Sequence, residues 1–135
     1  MFDIGGRRVK RSLNIDMNTV RFCTKEELAR FKQQKWMEGF EATGEEEVNL
    51  YIFRHYVEYY LRHHPKVNQE LIMTIRQLQP TAQGIPIELY FFSADTGWLK
   101  YEHLQAEVFD HVLAMMHTFD LKVFQSPTGL DFKKI

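Results

Sequence analysis

The sequence has little cysteine: Cys23 is the one thiol among 135 residues. A single thiol can form no disulfide within the chain and cannot complete a Cys-x-x-Cys metal or redox motif. This usage fits a reducing compartment. We interpret Cys23 itself as a small, half-buried hydrophobic residue that follows a strand.

Long hydrophobic runs are also missing. A helix that crosses a bilayer needs about 20 apolar residues, whereas the longest clean apolar run, residues 112–116, lies inside an amphipathic pattern. Residues 1–6 contain no apolar core of the kind found in signal peptides. Taken alone, the chain is therefore expected in the cytosol.

An excess of one charge is absent as well. The 17 Lys and Arg residues nearly balance the 18 Asp and Glu residues, so the net charge is −1. This balance gives no general attraction to nucleic acid or to an anionic membrane, and we expect no nucleic-acid partner. Two local exceptions are a basic start and an acidic loop at residues 36–47. The basic residues are Arg7, Arg8, Lys10 and Arg11.

The length and composition are those of one globular domain. The chain is 44% hydrophobic and 26% charged, which are ordinary proportions. A chain of this size buries about two-thirds of the surface that it exposes when unfolded, so it can fold without staples. We expect a single domain over residues 1–129 and a C-terminal tail over residues 130–135.

Hydrophobic periodicity predicts the order β-α-β-β-α-β, with the first helical region split in two. Thr24 and Glu27 form a capping box at one helix start, and Asn49 is expected to cap the next helix. The predicted strands are 8–17, 71–76, 85–92 and 121–126, and the longest predicted helix is 101–119. The turn residues at 80–84 predict that the second and third strands form a hairpin. This order predicts an α+β, ferredoxin-like fold with a four-stranded, mainly antiparallel sheet and helices on one face.

One series of side chains has the spacing of a metal site. His103, Glu107 and His111 are each four residues apart on the longest predicted helix, so they can share one face and together bind zinc. The same spacing is common on solvated helix faces, where such pairs add only a few tenths of a kcal/mol. We favour the solvated face and expect no metal and no cofactor.

Motifs for catalysis and for RNA binding are missing too. No nucleophile elbow, phosphate loop or dinucleotide fingerprint occurs, so the chain is not expected to be an enzyme. RNA-recognition motifs share the predicted topology and stack bases on aromatic side chains of the third strand. Tyr90 and Phe92 lie on one face of that strand, but Glu88 lies beside them and no basic-Gly-aromatic pattern precedes them. A packing role is favoured for both rings.

Three stretches of the sequence resemble the C-terminal part of MscS-type mechanosensitive channels. They are residues 85–92 (IPIELYFF), 105–114 (QAEVFDHVLA) and 119–129 (FDLKVFQSPTG). Residues 5–12 (GGRRVKRS), 15–17 (IDM) and 76–78 (RQL) resemble the YbdG-like miniconductance branch. The run from residue 105 to residue 129 is the specific part of the likeness.

The resemblance implies a role as one wall segment of a larger assembly. MscS-type channels are inner-membrane homo-oligomers, typically heptamers, that release ions and small solutes on hypo-osmotic shock. Their subunits carry membrane helices, a small β domain and a cytoplasmic α/β domain that together form a hollow vestibule with side portals. This chain resembles the α/β domain alone. Its expected partners are identical subunits and its own membrane and β domains.

Two features bear on that reading. Arg7, Arg8, Lys10 and Arg11 are candidates for lining a portal or the junction with the β domain, and the other interpretation is a solvated strand edge. The sequence departs from the family at Asp120, where many relatives carry glycine after the long helix. That position often requires a positive φ, which Asp tolerates less well than glycine. The alternative function is a stand-alone ligand-sensing module of ferredoxin-like type.

Overall fold

The computed structural model describes residues 5–126 of the chain. The predicted tail at 130–135 lies outside these residues. The helices are α1 (Lys25–Lys32), α2 (Asn49–Arg62) and α3 (Trp98–Met115), and the strands are β1 (Arg8–Ile15), β2 (Thr74–Gln77) and β3 (Ile85–Phe92). Short 3-10 turns occupy Met17–Thr19, Lys35–Met37 and Met116–Phe119. Within residues 5–126, no helix has the length and apolar character needed to cross a membrane.

The sheet has three strands in the order β1-β3-β2, and both pairings are antiparallel. The α+β character matches the expectation, but the predicted four-stranded ferredoxin-like sheet is wrong. The predicted fourth strand, residues 121–126, makes a single isolated bridge between Ile15 and Val123. Further along that edge of β1, the Arg8 carbonyl accepts a hydrogen bond from the Tyr101 hydroxyl at 2.6 Å instead of one from a strand.

A hairpin joins β2 to β3, as the turn residues at 80–84 predict. Thr81 and Gly84 exchange main-chain hydrogen bonds at 2.8 and 3.1 Å. Gly84 has a φ of +101°, and a Cβ there would lie 2.4 Å from the Ile15 carbonyl oxygen. Only glycine therefore fits this turn, which closes against the end of β1.

The core lies between α2, α3 and one face of the sheet. Alternate residues of β1 and β3 enter it, so that Val9 pairs with Phe91 and Leu13 pairs with Ile87. Phe119, in the turn after α3, is 1% exposed and contacts several rings. The rings within 6 Å of its centroid belong to Phe31, Trp36, Phe53 and Tyr56.

The predicted capping box is confirmed at α1. The Thr24 hydroxyl accepts from the Glu27 main-chain N–H, and the Glu27 carboxylate accepts from the Thr24 N–H. The predicted cap at Asn49 is wrong, since Val48 holds that position and Asn49 is the first helical residue. The buried Asn49 amide instead donates to the carbonyls of Thr19 and Phe119. It thus fixes the chain before α1 against the end of α3.

Candidate functional site

The basic residues at the start of β1 divide between the two faces of the sheet. Arg11 lies on the face that α3 covers, with its guanidinium carbon 4.3 Å from the centroid of the Phe109 ring. Arg7 also turns towards α3, donating from Nε to the Thr96 carbonyl at 2.7 Å. Arg11 therefore contacts α3, and Arg7 contacts the loop that leads into α3.

Arg8 and Lys10 lie on the opposite face, where they pair in register with Phe92 and Tyr90. Both cations are exposed, and neither forms an ion pair with any other described residue. The four predicted residues therefore do not form one patch. Arg8 and Lys10 remain candidates for contact with solutes or with another domain.

The outer face of the sheet combines these cations with aromatic rings and one shielded acid. Tyr90 and Phe92 meet edge to face with centroids 5.8 Å apart, and Phe92 is buried. Glu88 is also buried and accepts from Arg76 at 3.3 Å. The side chains of β3 thus pack against one another on the outer face beside Arg8 and Lys10.

A cleft of about 420 Å³ lies where the end of α2 meets α3. Its wall contains Tyr56, Tyr60 and His64 from the α2 side and Glu107 from α3. Tyr56 and Tyr60 are four residues apart, as are Glu107 and His111, so each pair lies on one helix face. Where these two faces meet, the side chains form a hydrogen-bonded and stacked group.

The position of one proton in this group follows from its geometry. The Lys66 main-chain N–H donates to Nδ1 of His64 at 3.0 Å, so Nδ1 carries no hydrogen. The proton of the neutral ring is therefore on Nε2, which donates to Oε2 of Glu107 at 2.6 Å. That hydrogen bond is the main reason that the pKa of Glu107 lies below its ordinary range.

His111 forms the second half of the group. Its Nε2 lies 2.5 Å from the Tyr56 hydroxyl, and its ring stacks on Tyr60 with centroids 4.1 Å apart. Burial lowers the pKa of His111 and raises the pKa of Tyr56. Burial also raises the pKa of Tyr60 to about 12. A neutral His111 that accepts from a protonated Tyr56 satisfies both groups.

The series considered for zinc is divided by these contacts. Glu107 pairs with His64 and His111 pairs with Tyr56, while His103 lines a neighbouring cleft with Lys100. Among residues 5–126, no group of three or more His, Cys, Asp or Glu side chains has an arrangement that could hold a metal ion. The partner Tyr56 lies on α2 and His64 lies just after its end, which spacing along α3 alone does not reveal.

Several apolar side chains remain exposed outside the core. Trp98 and Leu99 are adjacent at the start of α3, while Phe22 precedes α1 and Ile72 precedes β2. Large apolar side chains at the surface are frequent anchors of protein contacts. Trp98 and Leu99, at 59% and 65% exposure, are the one sequence-adjacent pair among the exposed large apolar side chains of residues 5–126.

The fold and these surfaces define a small α+β domain built on a three-stranded antiparallel sheet. A scan of the sequence against models of protein families finds none that matches.

Proposed function

We propose that this chain is a cytoplasmic wall domain of an MscS-type mechanosensitive channel. Its work is to shape a vestibule and to hold subunits together while ions and small solutes pass. In the full-length protein the domain faces the cytoplasm beneath the inner membrane, and identical subunits, expected as a heptamer, surround it. The proposed role is structural and includes no catalytic step.

The observation that carries the proposal is the backbone at Asp120. This residue has a φ of 56° and a ψ of 37°, in the left-handed region, and it ends the turn after α3. It lies inside the run of residues 105–129 that resembles the channels, at the position where many of them carry glycine. The left-handed backbone explains that glycine, since side chains are disfavoured there. This agreement supports the alignment of the chain with the family.

The proposed role needs charges near a solute path and a surface for contact between subunits, and two surfaces of this domain fit these needs. Arg8 and Lys10 are exposed cations on the outer face of the edge strand β1, where they can bias the local concentration of ions. Such a bias is screened over about 8 Å at physiological salt, so it acts at a narrow opening and not at a distance. Trp98 and Leu99 provide apolar surface for a contact with a neighbouring subunit.

The sequence of the native gene and the survival of cells that carry it test this proposal. The reading frame that contains Met1 is expected to encode apolar segments of about 20 residues ahead of it. Cells that rely on the intact gene should survive hypo-osmotic shock, whereas cells with the same gene stopped before Arg8 should survive poorly. Normal survival of the truncated strain would count against the proposal, as would a gene without membrane-spanning segments.

The second candidate function is a ligand-sensing module, which the aromatic cleft between α2 and α3 favours. Its volume of about 420 Å³ lies within the range of small-molecule sites. A melting-temperature screen of metabolites tests it, because a ligand at 100 times its Kd adds about 2.7 kcal/mol of stability. A hit that Tyr60→Ala abolishes would support sensing, and a screen without hits would remove its support.

A further inference from the structure

Arg54 is an incompletely satisfied cation in the middle of α2. Its Nε is buried and has no hydrogen-bond partner, and it is the one such side-chain atom among residues 5–126. No ion pair or hydrogen bond involves its guanidinium within that range. Burial lowers the pKa of Arg54 for the same reason, since the charged form loses water without gaining an acceptor.

The groups that surround Arg54 do not neutralise it. The Tyr51 ring lies 5.3 Å from its guanidinium carbon, which gives a cation–π contact but no acceptor in the ring plane. Glu58 lines the same small cleft, but its carboxylate pairs with Arg62 at 3.2 Å. Glu41 also lines that cleft, and only its main-chain carbonyl is engaged, by the Tyr51 hydroxyl.

Arg54 stands at the junction of two clefts beside the edge strand β2. The smaller cleft, about 190 Å³, contains Glu41, Glu58 and Ile75 of β2. The larger cleft, about 510 Å³, is walled mainly by apolar side chains and is also lined by Gln77 of β2. Its apolar lining residues are Val20, Val48, Leu50 and Ile85. Tyr51 and Arg54 belong to both clefts.

This combination has a specific chemical complement. A guanidinium binds a carboxylate through two parallel N–H···O bonds, and such bonds are stronger where water is excluded. The apolar cleft gains from an apolar body that displaces its water. We propose that Arg54 binds the carboxylate of a small amphipathic acid whose apolar body occupies the 510 Å³ cleft. The site is independent of the channel proposal.

Calorimetric titration of the 135-residue chain with octanoate tests the site, with octan-1-ol as the uncharged probe. Octanoate should bind saturably at one site. Octan-1-ol should bind at least about tenfold more weakly than octanoate, because it lacks the charge-assisted bonds. Arg54→Met should weaken octanoate binding about tenfold or more. Arg30→Met is the matched control, since Arg30 is an exposed helical arginine that lines neither cleft and forms no ion pair with another described residue.

Two further variants keep the test decisive. If Arg54→Met fails to fold, Arg54→Lys retains the charge but removes the two-bond fork, and it should also weaken octanoate binding. Glu41→Gln should leave binding equal or tighter, because it removes a carboxylate that lines the same small cleft and can compete for Arg54. The proposal is overturned if wild-type chain shows no saturable binding of octanoate, or if Arg54→Met or Arg54→Lys binds it as tightly as wild type.

Discussion

The carboxylate of Asp120 accepts two hydrogen bonds from the guanidinium of Arg21, at 3.2 Å from Nε and 3.1 Å from Nη2. The same guanidinium forms a two-bond pair with Glu27, with both distances 2.8 Å. Arg21 thus joins the start of α1 to the turn that follows α3. The left-handed residue singled out by the sequence is also one end of a charged bridge across the domain.

The Glu27 side of this bridge predicts a pH dependence of stability. The Arg21 hydrogen bonds lower the pKa of Glu27 from 4.5 to about 2. A depressed pKa stabilises the fold fully above the unfolded value and loses its effect as pH falls through the folded value. Glu27→Gln should therefore cost about 1 to 2 kcal/mol at pH 7, and the difference from wild type should shrink between pH 4.5 and about 2.

Urea unfolding of both proteins between pH 7 and pH 2 measures this difference. Glu26→Gln is the control, because Glu26 lies in the same first turn of α1 but forms no ion pair with a described residue. The control should change the unfolding free energy by less than about 0.5 kcal/mol. A pH-independent gap between wild type and Glu27→Gln would contradict the role given to Arg21.

Asp120 predicts a difference between two substitutions that remove the same carboxylate. Alanine at this left-handed position retains the steric conflict of its Cβ, and glycine does not. Asp120→Ala should therefore be less stable than Asp120→Gly by about 1 kcal/mol. Equal unfolding midpoints for the two variants would show that the backbone there relaxes without cost.

Truncation of the buried Phe119 side chain should cause a large loss of stability. Its ring is 1% exposed and lies 5.1 Å from the Phe31 centroid and 5.5 Å from the Phe53 centroid. Phe119→Ala should cost about 3 to 5 kcal/mol through lost burial and a residual cavity. Phe22→Ala, at an exposed site, should cost less than about 1 kcal/mol in the same denaturation assay. Similar losses for both would contradict the placement of the core.

His64 predicts a tautomer that nitrogen NMR can read. The Lys66 N–H and the Glu107 carboxylate together require hydrogen on Nε2 and a bare Nδ1 in the neutral ring. The ¹⁵N shifts of the ring should show that pattern, and Glu107→Gln should move the Nε2 signal most. A neutral ring with hydrogen on Nδ1 would contradict the hydrogen-bond group between α2 and α3.

Local signals in the sequence predicted local structure well. The capping box at Thr24 and the hairpin before β3 depend on neighbouring residues, and both are present. The positive φ at Asp120 was expected only from the family resemblance, and it is also present. The prediction of a fourth strand was wrong because residues 121–126 pair with β1 through one isolated bridge at Val123 and form no ladder. In this stretch Leu121 is buried, whereas Val123 is exposed. The prediction that Asn49 caps α2 was wrong because its side-chain amide donates to carbonyls that are distant in sequence. These hydrogen bonds outweigh the preference of Asn for the cap position.

The candidate sites were less accessible to sequence reasoning. The pairing of His64 with Glu107 joins residues that are 43 positions apart, which no periodicity reports. The sequence did not predict the Arg54 site for a different reason. The site depends on a buried Nε without a hydrogen-bond acceptor, and only the folded structure shows that an acceptor is missing. The basic residues of β1 were found by sequence, but strand alternation sends Arg8 and Lys10 to one face and Arg11 to the other.

The proposed function makes this domain a working part of a tension-gated pore. Patch-clamp recording from membranes that contain the native gene product tests that role. We predict currents that suction opens, and we predict that an in-frame deletion of residues 98–126, which removes α3, abolishes these currents or makes them close abnormally. Absence of suction-activated current from the intact protein, or unchanged currents after the deletion, would contradict it.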